Sequence, residues 1–224
     1  MTIDTLHPAS NTGIAAMIET AQLIVFITLL ESKDIEYALV GGAALLTMDD
    51  WKRPTDDFGF IVAKVDIDQI EELEKKSSDR NFGRYSYQGT RIDALYRGNP
   101  IFDYVIQNCV DSTLVEGKEI NRATPEGIIL LKLYALPSLY QQGQQRRAVT
   151  YENDILGLLL QSVEVNFEKV LKVLSKELLP SQVSELRSII DDCQQRASRQ
   201  RFLQFVLSGR ICCDRLRKRL VKNS

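Results

Sequence analysis

The feature that most constrains the fold is an apolar strand that runs directly into a pair of glycines. Tyr37 to Val40 has the composition of a buried strand, and Gly41-Gly42 then predicts a tight turn. Residues 43–49 suit a short helix, and the acidic pair Asp56-Asp57 precedes a second strand, Phe58 to Val62. This order predicts a sheet mixed with helices, in which the glycine turn and the acids lie near each other.

The remaining patterns divide the chain into an α/β half and a helical half. We expect a helix over residues 14–33, an acidic amphipathic helix over Asp66 to Lys76, and strands over Phe82 to Tyr87, Arg91 to Leu95 and Ile101 to Ile106. Thr124-Pro125-Glu126 is a capped helix start, Pro137 is expected to end that helix, and residues after Val163 are expected to be helical with a break at Pro180. The prediction is an α+β fold: residues 1–122 as the core and residues 123–224 as a C-terminal helical region.

Composition excludes several classes of protein. With 44% hydrophobic and 26% charged residues over 224 positions, the chain is typical of a folded globular protein. The longest apolar segment, Ile14 to Leu30, contains Glu19 and Gln22, which argues against a membrane span. The N-terminus lacks the basic region of a signal peptide, so a cytoplasmic location is expected. None of the four cysteines has CxxC spacing, and the lone His7 has no ligand-like neighbours, which argues against a zinc site.

Charge is distributed unevenly along the chain. The segment from Arg196 to Lys222 carries nine basic residues and one acid, Asp214, although the whole chain has a net charge of −2. A basic segment on an acidic body suggests RNA binding. The alternative is a helix whose arginines cover an acidic neighbour or face solvent.

The glycine turn and the acids together suggest phosphate chemistry. Glycines at a strand-to-helix turn let the backbone approach a triphosphate closely. Asp57 begins one predicted strand and Asp93 lies in another, and carboxylates from adjacent strands can bind Mg²⁺. Taken separately, Gly41-Gly42 is also explained by a simple turn, Asp57 by a solvated strand end, and Asp93 by a surface ion pair with Arg91.

These residues resemble a known family. Val40-Gly41-Gly42-Ala43-Ala44, Arg53 to Asp57 and Arg91-Ile92-Asp93 are similar to the core of the nucleotidyltransferases of the DNA polymerase β-like superfamily, and most similar to the AbiEii/AbiGii toxin branch. Residues 124–135 and 146–159 are similar to two later motifs of that branch. The resemblance implies a mixed sheet with flanking helices, an NTP–Mg²⁺ substrate, and transfer of a nucleotidyl group to a hydroxyl of RNA or of a partner protein.

The resemblance also implies roles for individual residues. Gly41 and Gly42 would line the triphosphate, and Asp57 and Asp93 would ligate Mg²⁺ as catalytic residues. Lys132 would contact phosphate, and Asp154 would hold Lys132 or help the active site. Apart from the resemblance, Lys132 interrupts an intensely apolar stretch of helix and requires a carboxylate or phosphate partner. Asp154 is alternatively a first-turn acid favoured by the helix dipole.

One departure from the family pattern bears on activity. The family has a second aspartate two residues after the first, because strand geometry then directs both side chains to one face. This chain has Gly59 at that position. Loss of the acid is expected to slow transfer by several orders of magnitude. The alternative function is therefore a catalytically silent nucleotide- or RNA-binding regulatory protein, antitoxin-like, on the same fold. The sequence leaves the nucleotide, the acceptor and the oligomeric state open.

Overall fold

A computed structural model describes residues 9–48, 51, 55–161 and 163–221, and within those ranges it describes side chains from residue 20 to residue 204. The chain forms two compact units, residues 1–131 and residues 132–224, and the division falls within a helix. The expected boundary between residues 122 and 123 stays a prediction.

The first unit contains the described strands and the helices that lie before and between them. In chain order its elements are α1 (Ala9–Ser32), β1 (Tyr37–Val40), α2 (Gly41–Leu46), β2 (Asp57–Val62), α3 (Lys64–Ile67), β3 (Glu74–Ser78), β4 (Phe82–Tyr87), β5 (Thr90–Tyr96), α4 (Pro100–Asn108), β6 (Val110–Val115), β7 (Lys118–Ala123) and the first half of α5 (Pro125–Gln141). The predicted α+β class is confirmed.

The seven described strands form one mixed sheet with the order β3-β4-β5-β2-β1-β7-β6. β1 is antiparallel to β2, whereas β5 is parallel to β2 and β7 is parallel to β1. All four residues of β1 are buried, and so are the last five of β2. Such continuous apolar runs are expected of central strands that are covered on both faces.

Helix α1 covers one face of this sheet, as its apolar spacing predicts. The ring centroid of Phe26 lies 5.2 Å from that of Phe60 on β2 and 5.2 Å from that of Tyr87 on β4. Phe26 and Phe60 are fully buried, so the helix is held by aromatic packing over the centre of the sheet.

The helix predicted over Asp66 to Lys76 is wrong. The chain forms only the single turn α3 there and then the edge strand β3, whose five residues, Glu74 to Ser78, are all exposed. Glutamate and lysine favour helix locally. Here, however, backbone N–H and C=O groups of β3 form hydrogen bonds with β4. This tertiary pairing outweighs the local preference for helix.

The strand predicted over Ile101 to Ile106 is also wrong, because those residues lie in α4. Asn99 caps the helix by accepting a hydrogen bond from the backbone N–H of Ile101, and Pro100 occupies the first helical position. The sequence analysis did not predict the hairpin β6–β7. Its turn, Glu116-Gly117, has positive φ at both residues, the conformation that two-residue hairpin turns favour.

The second unit is helical. It contains the rest of α5, then α6 (Gln145–Leu160), α7 (Phe167–Leu174) and α8 (Pro180–Val221). Pro137 was predicted to end α5, which is wrong: the helix continues to Gln141 with the proline inside it. Pro180 begins α8, and the predicted break falls just before it. In the described part of the chain, none of the helices combines the length and the apolar character that a membrane crossing requires.

Candidate functional site

The glycine turn lies at the edge of the sheet where β1 ends and β2 begins. Val40 pairs with Gly59 in the antiparallel register, so the chain beyond Val40 runs toward the start of β2 and its first residue, Asp57. Gly41 has φ of +69°, in the left-handed region that glycine adopts without steric cost. A side chain at position 41 would meet no atom within 4 Å. The glycine is therefore required by backbone conformation and not by close packing.

Arg122 fixes the other end of helix α2. It lies on β7 beside Leu39 of β1, and its Nη1 donates hydrogen bonds to the carbonyl oxygen of Thr47 at 2.8 Å and to the Thr47 hydroxyl at 2.9 Å. Carbonyls at the end of a helix lack partners within the helix, and the guanidinium supplies one here. The short helix that follows the glycine turn is thus tied to the central sheet.

The two predicted acids lie on the same face of two neighbouring strands. In the parallel register Asp57 pairs with Arg91 and Gly59 pairs with Asp93. Because alternate residues of a strand face the same side, and paired residues share a face, these four positions form one patch. Asp93 is buried at 5% exposure, so it is not the surface acid that one alternative expected. Asp56 is exposed and lies before the strand begins.

Gly59 lies between the acids, at the position where the resemblance places a carboxylate. A Cβ at this glycine would lie 3.2 Å from the carbonyl oxygen of Val40 and 3.3 Å from Val40 Cγ2. Both distances are shorter than ordinary contacts. A side chain therefore fits at position 59 only if Val40 moves by a few tenths of an ångström.

Arginines hold both acids. Arg91 Nη2 forms an ion pair with Asp57 Oδ2, and Arg91 Nε lies 3.5 Å from Asp93 Oδ1. Arg84 Nε donates a hydrogen bond of 3.2 Å to the same Asp93 oxygen. Thr55 also reaches the cluster, since its hydroxyl lies 3.4 Å from Asp57 Oδ1. We call Asp57, Arg84, Arg91 and Asp93 the Arg–Asp cluster; its formal charges sum to zero.

In the second unit, Lys132 and Asp154 form a buried ion pair. Lys132 Nζ lies 2.7 Å from Asp154 Oδ2, and their side chains are 4% and 2% exposed. The Tyr151 ring lies under the ammonium, with its centroid 4.3 Å from Nζ. Asp154 lies in the middle of α6, so it is not the first-turn acid of the other explanation. Asp154 therefore contacts Lys132, as the resemblance implies; the catalytic roles of both residues and a contact of Lys132 with phosphate stay predictions.

Two predicted features lie partly outside the described residues. Arg53, in the motif that precedes Asp57, lies outside the described residues. The basic segment from Arg196 to Lys222 lies in α8 as far as Val221, and its side chains are described only up to Gln204.

Arg84 was not among the predicted site residues, although a signal for it was present. The strands over residues 82–87 and 91–95 were both predicted, and a hairpin that closes between them at Gly89 pairs Arg84 with Asp93. Counting along that register places Arg84 on the same face of the sheet as Asp93.

The fold is shared with known structures. The crystal structure of ANT(2'')-Ia in complex with adenylyl-2''-tobramycin matches with a TM-score of 0.51 and 11% identity, over 76% of this chain and 98% of that one. The solution structure of the antibiotic-resistance factor ANT(2'')-Ia matches with a TM-score of 0.50 and 9% identity, over 84% and 98%. An antigenic nucleotidyltransferase-like protein from Paracoccidioides brasiliensis matches at 0.47 with 18% identity, over 77% and 91%.

No protein-family model and no curated protein matches the sequence. At these identities the structural matches define the fold, which is nucleotidyltransferase-like. The resemblance to the AbiEii/AbiGii branch stays a prediction.

Proposed function

We propose that this protein binds a nucleoside triphosphate on a nucleotidyltransferase-like fold and that Gly59 leaves it catalytically silent. The observation that carries the proposal is the register of β2 against β5, in which Gly59 lies beside Asp93 and shares a face with Asp57. The position at which a third carboxylate would complete a metal site holds no side chain. A regulatory protein that responds to nucleotide is the function that this arrangement supports best.

Nucleotide binding is supported by the glycine turn. Gly41 takes a left-handed conformation at the end of β1, and Gly42 follows it at the edge where β2 begins with Asp57. Backbone N–H groups at such a turn can approach phosphate oxygens closely. The ANT(2'')-Ia structure of the same fold is a complex with an adenylylated compound, which agrees with nucleotide chemistry on this scaffold.

The residues present do not fit Mg²⁺. A hard divalent cation prefers several carboxylate oxygens with their charge uncompensated. Here Asp57 and Asp93 are the two acids on the face, and Arg91 and Arg84 already compensate both of them. Among the described residues there is also no group of three or more His, Cys, Asp or Glu side chains that could hold a metal ion. No step of the proposed function therefore involves a metal.

Nucleotidyl transfer to a hydroxyl of RNA or of a partner protein, with Mg²⁺ as cofactor, is the second candidate. One observation favours it: Asp57 and Asp93 lie on adjacent strands and share a face, as two ligands of one ion would. Under this candidate Lys132 and Asp154 keep the roles that the resemblance implies.

Nucleotide titration of matched glycine variants tests the proposal. We expect calorimetry to detect binding of at least one of ATP, GTP, CTP and UTP, and Gly41→Ala to weaken it about tenfold, since a strained turn misplaces its N–H groups. Gly89→Ala is the control, because Gly89 also has a positive φ, +84°, and also has no atom within 4 Å of an added Cβ.

Transfer is assayed in parallel with labelled NTPs, Mg²⁺ and total RNA or candidate proteins. We expect no transfer by the wild type. Absence of NTP binding would reject the proposal, and transfer of label by the wild type would establish the second candidate in its place.

A further inference from the structure

The guanidinium of Arg91 lies between the two predicted metal ligands. It contacts Asp57 through Nη2 and Asp93 through Nε, so it bridges the acids in the way that a cation shared by both would. A divalent ion that entered between these carboxylates would have to displace a charged group already paired with each of them.

The accessible groups of the Arg–Asp cluster are its cations. The side chains of Arg91 and Arg84 are 40% and 38% exposed, whereas those of Asp57 and Asp93 are 24% and 6% exposed. The carboxylates are thus the more buried members of the cluster, and the arginine side chains that pair with them are the more exposed ones. An ion that approaches from solvent therefore meets positive charge first, which favours an anion over a metal ion.

Arginine is well suited to a phosphate ligand. Its planar guanidinium carries five N–H donors and can bind two phosphate oxygens at once, and it stays charged at every physiological pH. The cluster has two such groups on adjacent strands, Arg84 on β4 and Arg91 on β5. Both contact Asp93, which accepts a hydrogen bond from Arg84 and forms an ion pair with Arg91. Their separation is fixed by the sheet and not by flexible loops.

We propose that the Arg–Asp cluster binds the phosphates of the nucleoside triphosphate directly, through Arg91 and Arg84, and without a divalent cation. This inference rests on the proposed function and names the chemistry by which that site would hold its ligand. Arg91 takes the place that a metal ion has between two carboxylates, and Asp57 and Asp93 act as positioning residues for the two arginines.

The experiment measures ligand binding to the full chain by calorimetry, once in a buffer with excess EDTA and once in a buffer with excess MgCl₂. The probes are inorganic tripolyphosphate and the NTP that binds best. The variants are Arg91→Gln and Arg84→Gln. The control is Arg97→Gln, an arginine of the same unit whose side chain is 33% exposed and which also pairs with acids, Glu36 and Asp103. Binding of Mn²⁺ to the wild type without nucleotide is measured by electron paramagnetic resonance.

We expect both probes to bind in EDTA with dissociation constants within about twofold of those in MgCl₂, and each cluster variant to weaken binding about tenfold, the effect of losing one charge-assisted contact. Arg97→Gln should bind as the wild type does, and the wild type should bind no stoichiometric Mn²⁺. The comparison of EDTA with MgCl₂ needs no variant, so it decides the matter even where a variant fails to fold.

Three results would overturn the inference: binding that requires Mg²⁺, equal affinities in the wild type and both cluster variants, or Mn²⁺ bound by the wild type and lost in Asp57→Asn. NTP binding only with Mg²⁺ would overturn the inference and leave the proposed function standing. Metal-free binding of tripolyphosphate but not of any NTP would reject the proposed function and retain the anion site.

Discussion

The buried pair Lys132–Asp154 supports a quantitative prediction about stability. Replacing Asp154 with Asn should lower the free energy of unfolding by about 3–5 kcal/mol, the usual cost of removing one partner from a buried ion pair. The loss is large here because the Lys132 side chain is 4% exposed and cannot reach water. Its ammonium would then face a neutral amide in place of the carboxylate, beside the Tyr151 ring, whose centroid lies 4.3 Å from Nζ.

Removing both charges should cost far less than removing one. In Lys132→Met/Asp154→Leu no charge remains buried, and apolar side chains replace two groups that had lost their hydration. We expect the free energy of unfolding of the double variant to lie within about 2 kcal/mol of the wild-type value, a difference that allows for the greater bulk of leucine. The interaction energy of the double-mutant cycle should therefore be several kcal/mol in favour of the intact pair.

Urea denaturation followed by circular dichroism measures these differences, with the slope of the transition checked for change. Glu168→Gln is the control in the same unit: it breaks an ion pair with Arg187 in which both side chains are more than half exposed, so no measurable loss is expected. Two results would contradict this prediction: a cost below about 1 kcal/mol for Asp154→Asn, or a double variant that loses as much as the single variants Lys132→Met and Asp154→Leu together.

Three further changes test other parts of the structure. Gly83→Ala should lower stability by about 3 kcal/mol, because its Cβ would lie 1.8 Å from a buried tyrosine hydroxyl, whereas Gly89→Ala, with open space around it, should cost about 1 kcal/mol in denaturation experiments. Although partial burial raises the pKa of Asp68, hydrogen bonds from Tyr85 and a lysine outweigh it and hold the pKa below its ordinary value of 3.8. The stability from this carboxylate is thus present above pH 3.8 and lost as pH falls through the lower folded pKa, and Asp68→Asn should remove that part of the acid dependence in a pH series of melting temperatures. Burial raises the pKa of Cys193 to about 11, so at pH 8 its thiolate should be about a hundredfold scarcer than in a thiol of pKa 9.0, and mass spectrometry should find iodoacetamide on it only after unfolding.

The parts of the fold that were predicted correctly are those where local signals agree with tertiary contacts. Tyr37 to Val40 is apolar throughout and lies in the centre of the sheet, so its composition reports its environment directly. The segment from Asp66 to Lys76 failed for the opposite reason. Its glutamates and lysines favour helix, and the pairing that makes β3 a strand is supplied by β4, which no window around the segment contains.

The candidate site was predicted in its backbone and its acids but not in its electrostatics. Gly41, Asp57 and Asp93 follow from turn and strand patterns, because each is marked by its own neighbours in the sequence. The pairing of Arg84 with Asp93 depends on the register of a hairpin. The contact of Arg91 with Asp57 depends on the pairing of β2 with β5, which are adjacent in the sheet although β3 and β4 lie between them in the sequence. Such contacts appear only when strand order and register are both known.

The position of β1 in the sheet has a consequence for synthesis of the chain. One edge of β1 pairs with β2, which begins at Asp57, but its other edge pairs with β7, where Leu39 lies beside Arg122. Until those residues leave the ribosome, four apolar residues present unpaired N–H and C=O groups to other chains. Parallel pairing across such a separation is slow to form. We therefore expect the nascent first unit to be prone to aggregate until β7 has been synthesised.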